Sequence, residues 1–248
     1  MIGNDKQVGH QGSRSFHSLM LPLLLVMICH LSSPISAFLC DPLQENTWLA
    51  LTSAIQTSPG FLLLCPFEIE GEGCPNTGLG YIIPENDSLT MICEKDVFGA
   101  STPTTAPACV IDCPGNHFTI ARNASLTLDG FTLRGSQTSA AIYMQPTGQL
   151  QVYDSSFYNN YNPSGSGGAI YAGESAQLVV NQCQMQNNTA LTGGAIYAEG
   201  NSQITDSEFV NNLSTSTKPK TGVSTTFCHL STALFPWFIV CMSAKFSN

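Results

Sequence analysis

Two neighbouring stretches decide the fold of this 248-residue chain: SGGAIYAGESAQLVVNQCQMQNN (166–188) and TGGAIYAEGNSQITDSEFVNN (192–212). Both contain GGAIY and both end in NN, while the residues between drift. Aligning the segments upstream with these gives fixed columns. Leu126, Leu150, Leu178 and Ser202 share one; Leu128, Val152, Val180 and Ile204 a second; Leu133, Phe157, Met185 and Phe209 a third, in steps of 24, 28 and 24 residues. AAIY at 140–143 and GAIY at 168–171 and 194–197 form another set, in steps of 28 and 26.

Within each unit the apolar residues alternate over only three to five positions and then give way to Asn, Ser, Gly and Asp, the pattern of short strands and tight turns. No stretch after residue 40 reads as a sustained helical period. Strands this short, recurring every two dozen residues, predict an all-β parallel solenoid whose coils stack like residues about 4.8 Å apart. Leu150, Val152, Phe157 and their equivalents then point inward and build one core layer per coil. Asn160, Asn188 and Asn212 form a ladder at the sharp bend after the strand, where each amide bonds turn backbone and the amide one coil away. The pairs Gly167-Gly168 and Gly193-Gly194 are expected to supply positive φ before the next strand. By the same register Asn187 faces outward, with no part in the ladder.

These residues resemble a known family. Gly-Gly-Ala-Ile followed by Phe-x-x-Asn, seen as FYNN (157–160) and FVNN (209–212) and with Met185 replacing Phe in MQNN, is similar to the polymorphic outer membrane protein repeat. The resemblance covers about residues 126–212 and implies a right-handed parallel β-helix of the pectin lyase-like superfold. It also implies a cell-surface setting and, by analogy, adhesion. FLLLCP (61–66), LTMIC (89–93) and CVIDCPGNHFTI (109–120) are similar to the cysteine-bearing first coils of secreted β-helix proteins.

The ends set the frame. Lys6 and Arg14 precede the apolar run LMLPLLLVMI (19–28), and small residues follow as far as Ala37, which reads as a secretory signal peptide over 1–37. Residues 38–113 read as a cysteine-rich N-terminal cap with the first coils, 114–212 as repeat coils, and 213–248 as a linker and apolar tail. That tail carries ALFPWFIVCM (233–242), interrupted by Pro236, and is expected to serve as a C-terminal cap. Membrane association is expected only through an uncleaved signal or this tail.

Cys40, Cys65, Cys74, Cys93, Cys109 and Cys113 predict a disulfide framework whose pairing the spacing leaves open, suited to covering the open first coil. Zinc is the rival, but the spacing contains no paired C-x-x-C sets. Cys183, whose column mates are Phe131, Ser155 and Ser207, is expected to be a buried inert thiol. The sequons at Asn86, Asn123 and Asn187 are candidate glycosylation sites. A fourth, at Asn212, occupies the ladder and would lose its packing if modified.

Composition narrows the function. The net charge is −9, and the first 37 residues hold one acid and two bases, which leaves −10 beyond them. So acidic a body repels nucleic acids and polyuronates. Only His117, His229, Arg122, Arg134 and four lysines remain as bases. Asp154 and Asp206 share a column two coils apart, about 9.6 Å by the ladder spacing, near the upper limit for an inverting glycosidase. Gln182 lies between them, and a position directly after a strand is where Asp caps turns. The expectation is therefore a module without catalytic residues, metal or cofactor. Its candidate contact surface is Tyr143, Tyr171 and Tyr197, sent outward by strand alternation as a flat strip for a glycan or an extracellular protein. The alternative is a polysaccharide-acting hydrolase or lyase of the pectin lyase-like fold.

Overall fold

The computed structural model describes residues 42, 43, 45–75, 80–94 and 109–216. The signal segment 1–37, Cys40 and the tail from 217 lie outside the described residues. The chain winds as a parallel β-helix. Its first coil holds β1 (Phe61–Leu64), β2 (Glu68–Glu70) and β3 (Tyr81–Ile83), and its second β4 (Ser88–Cys93), β5 (Cys109–Asp112) and β6 (Phe118–Ile120). The third comprises β7 (Ser125–Asp129), β8 (Phe131–Arg134) and β9 (Ile142–Met144). The fourth has β10 (Gln149–Tyr153), β11 (Ser156–Tyr158), β12 (Tyr161–Ser166) and β13 (Ile170–Ala172). The fifth has β14 (Gln177–Asn181), β15 (Gln184–Gln186), β16 (Thr189–Thr192) and β17 (Ile196–Ala198). A further partial coil adds β18 (Asn201–Thr205), β19 (Glu208–Val210) and β20 (Leu213–Ser214).

Each position in the coil builds one sheet. Sheet I stacks β1, β4, β7, β10, β14 and β18; sheet II stacks β2, β5, β8, β11, β15 and β19. Sheet III stacks β3, β6, β9, β13 and β17, and the short sheet IV stacks β12, β16 and β20. Register follows the sequence columns: Leu150 pairs with Leu126 and Leu178, Val152 with Leu128 and Val180, and Phe157 with Leu133 and Met185. Alternation sends these side chains inward, where all nine are buried.

The doubled asparagine has a split purpose. Asn159, Asn187 and Asn211 hold φ of 54°, 56° and 53°, in the column that Gly135 occupies one coil earlier with φ 79°. Asn is among the few side chains that tolerate this left-handed bend. The second asparagine of each pair turns inward. Asn160 Nδ2 donates to Asn188 Oδ1 at 2.9 Å, and Asn188 Nδ2 donates to Asn212 Oδ1 at 3.0 Å. Each amide also donates to a carbonyl at the end of a strand, those of Leu133, Phe157 and Met185. The ladder reaches one coil further up, where the Ser136 N–H donates to Asn160 Oδ1.

A stability contrast follows for the two neighbours. Asn188→Ala should cost about 2 kcal/mol, because buried backbone groups lose partners that water cannot replace. Asn187→Ala should cost about 1 kcal/mol for the left-handed backbone alone, and Asn187→Gly close to nothing. Urea unfolding of the three variants checks this; an Asn187→Gly loss equal to that of Asn188→Ala would assign the ladder to the wrong residue.

The glycine pairs depart from expectation. Gly167 and Gly193 take positive φ, as does Gly194, but Gly168 does not. Gly168 is needed for space instead: a Cβ there would meet the Gly194 carbonyl oxygen at 2.6 Å and that of Asn160 at 2.9 Å.

The N-terminal end corrects the reading that helical periods are absent. Trp48–Thr57 forms an α-helix, α1, with Trp48, Leu51 and Ile55 buried in the core. Those residues fall at i, i+3 and i+7, a helical face that a short Ala- and Thr-rich segment conceals in a search for long periods. Thr47 caps the helix, its hydroxyl accepting from the Ala50 N–H at 3.1 Å. Trp48 packs against Phe118, with ring centroids 6.0 Å apart.

Two disulfides tie the first coils: Cys93 to Cys109, joining the end of β4 to the start of β5, and Cys74 to Cys113. Cys65 is also disulfide-bonded. Cys183 is buried, its thiol donating to the Asn181 carbonyl at 3.2 Å. Ser155 and Ser207 of the same column make the equivalent bond to Tyr153 and Thr205. At the other end, pairing runs past residue 212, since Thr215 and Ser216 donate to the carbonyls of Ala190 and Leu191. No helix among the described residues is long and apolar enough to cross a membrane.

Candidate functional site on the tyrosine face

In sheet III, Ile142, Ile170 and Ile196 turn toward the core and the next residue of each strand turns out. Strand register places Tyr143, Tyr171 and Tyr197 side by side. Ring centroids lie 4.9 Å and 5.6 Å apart, with planes inclined by only 8° and 7°. At such separations near-parallel rings must overlap, since rings set edge to edge in one plane would stand further apart. The stack therefore covers both faces of Tyr171.

This changes the character of the surface. A flat apolar platform is not what a ligand meets; it meets ring edges and a row of phenol hydroxyls. Tyr143 is the most open, at 40% exposure. Above it in the same column stand Thr119 and the exposed Ile82.

Two of the hydroxyls are held in the neutral form. The Tyr197 hydroxyl donates to Glu199 Oε1 at 3.0 Å. Burial first, then this bond and the carboxylate charge, then Tyr171, push the Tyr197 pKa up to about 12. Tyr171 is raised as well, by burial first and then by Glu199 and Tyr143. A phenol hydroxyl both donates and accepts hydrogen bonds.

Asp154 and Asp206 are exposed and hold left-handed backbone, φ 45° and 48°, in the turn column shared with Gly130 and Gln182. Their backbone geometry is that of a corner between sheets I and II. Among the described residues no three His, Cys, Asp or Glu side chains cluster so as to hold a metal ion. Asn86, Asn123 and Asn187 are exposed, each at a positive-φ turn with φ of 65°, 56° and 56°.

One polar cluster escaped the sequence reading. On the outer face of sheet II, Arg134 pairs with Asp112 and with Glu68, both at 2.8 Å. Extending the Leu133 column one coil further, to Ile111, places Asp112 beside Arg134 and would have revealed the first pair. At this half-exposed site each pair contributes about 0 to 1 kcal/mol.

The model of the Chlamydia polymorphic membrane protein repeat matches residues 154–173 and 182–199. Each matched segment starts at a left-handed corner, Asp154 or Gln182, and runs through the asparagine corner into the tyrosine strand of sheet III. The matched segments thus contain Asn160 and Asn188 of the ladder and Tyr171 and Tyr197 of the stack. No curated protein and no solved structure matches the chain.

Proposed function

We propose that this β-helix of polymorphic membrane protein repeats is a surface-exposed, non-catalytic binding module, and that its tyrosine face contacts a neutral glycan. The stacked phenols carry the reading. Three rings with centroids at nearly strand spacing carry their hydroxyls as a hydrogen-bonding row on a rigid sheet, which suits a chain of hydroxyl-bearing rings. Glu199 and the overall charge of −9 disfavour a polyanion at the same place. Secretion through residues 1–37, glycosylation at Asn86, Asn123 and Asn187, and a role in adhesion belong to the same proposal. They are supported by the apolar leader, the exposure of the three sequons and the kinship of the repeat to membrane proteins. A protein edge lying on the row is the competing ligand.

The test compares two substitutions at the centre of the stack, read on an array of neutral glycans and on immobilised extracellular protein. Tyr171→Phe keeps the stack and removes one hydroxyl; it should weaken glycan binding about tenfold and leave stability unchanged. Tyr171→Ser should abolish binding while lowering stability by only about 1 kcal/mol, the scale of lost cross-strand contacts. Parent-like binding by both variants, or cleavage of any bound polysaccharide by the parent, would overturn the proposal. Binding to protein alone would transfer the row to the competing ligand.

A further inference from the structure

A cavity of about 310 Å³ lies between α1 and the first coils, far along the chain from the tyrosine stack. Ile55, Ile83 and Leu89, each no more than 3% exposed, supply apolar wall. The half-buried Tyr81 and the exposed Asp87 and Gln56 stand at its open side, adding an aromatic ring, a carboxylate and an amide. Asp87 is not a partner in the ion pairs that Arg134 makes with Asp112 and Glu68. Tyr81 feels that carboxylate: its pKa is raised by burial first and by Asp87 second. We propose that this cavity binds an organic cation, an alkylammonium group carried on an aliphatic stem.

Three features select that chemistry. The volume is at the lower end for small-molecule sites, enough for a short stem and a head group. A neutral guest would strip water from the Asp87 carboxylate without replacing the lost interactions, whereas an ammonium supplies both charge and hydrogen bonds. Tyr81 adds a ring quadrupole that attracts cations, and the stem gains by leaving water for the wall of Ile55, Ile83 and Leu89. An anion is opposed both by Asp87 and by the charge of −9. The site is independent of the tyrosine face, and its loss would leave the glycan proposal intact.

The experiment titrates the 15N-labelled protein with n-butylammonium and, in parallel, with the neutral n-pentanol, which is one methylene longer and so more apolar, following backbone amide shifts. Saturable shifts should centre on Gly60 and Ser88, with pentanol at least tenfold weaker. Asp87→Asn keeps the backbone bonds of the turn and should weaken butylammonium binding about tenfold, its spectrum otherwise showing an intact fold. A blocked Gly-Lys-Gly peptide forms the second arm. Tighter binding of the peptide assigns the site to a lysine side chain of a partner, and tighter binding of the free amine assigns it to a small metabolite. Equal affinity for pentanol, no effect of Asp87→Asn, or no saturable shift at Gly60 and Ser88 would overturn the proposal.

Discussion

Phe157→Ala will lower the stability of the β-helix by about 4 kcal/mol, within the range for deleting a large buried ring. Phe157 is completely buried on sheet II, between Leu133 of the preceding coil and Met185 of the next. A globular core can relax partly into such a hole. A solenoid layer cannot close along its axis, because strand hydrogen bonds hold the layers above and below at about 4.8 Å spacing. The hole therefore persists and its full cost is felt. Position along the helix gives the control. Phe209 occupies the same column in the last partial coil but is only half-buried, so Phe209→Ala should cost about half as much. Urea unfolding decides the matter; equal losses at the two sites would mean that the layers relax freely and that stacking does not confine the cavity.

Acid should weaken the fold through one histidine. His117 is fully buried, with Nε2 3.1 Å from the Cys113 carbonyl oxygen and Nδ1 without a partner. A carbonyl can only accept, so Nε2 carries the proton and Nδ1 is a buried lone pair without a partner among the described residues. Burial lowers the pKa from 6.5 to about 4, against the smaller opposing effects of the Cys113 carbonyl bond and the Asp112 charge. The folded value lies below the unfolded one. As pH falls through 6.5 the unfolded chain takes up a proton that the native chain refuses, so stability is full above 6.5 and drains until about pH 4. The loss between about pH 7.5 and about pH 4 should be roughly 3 kcal/mol. His117→Gln removes the titrating group, so the variant should lose roughly 3 kcal/mol less than the parent over that interval. The same acid sensitivity in both would clear His117 of the effect.

How much of this was legible beforehand differs from residue to residue. The columns through Leu150, Val152 and Phe157 were legible because coils in register must repeat their spacing, and alternation along a strand is a local rule. Asn188 was legible as the ladder residue for the same reason. The left-handed bend at Asn187 was not, although the doubled asparagine was its signal. The helix at Trp48–Thr57 was obscured because its buried face shows only three large residues over ten positions. Of the candidate site, the outward direction of Tyr143, Tyr171 and Tyr197 could be read from the chain. The covering of their faces could not.

The amino-acid order by itself determined the parallel β-helix, its inward columns and the corner that holds Asn160, Asn188 and Asn212. Those follow from strand alternation and from a period that only stacked coils can satisfy. Tertiary structure alone decided that Cys74 joins Cys113 and Cys93 joins Cys109, that His117 Nδ1 is buried without a partner among the described residues, that Tyr171 offers an edge and a hydroxyl, and that the exposed Asp87 lines the cleft beside α1. Each of these depends on which atoms meet across coils and on how much water remains between them, and neither the spacing of cysteines nor the alternation of a strand carries that information.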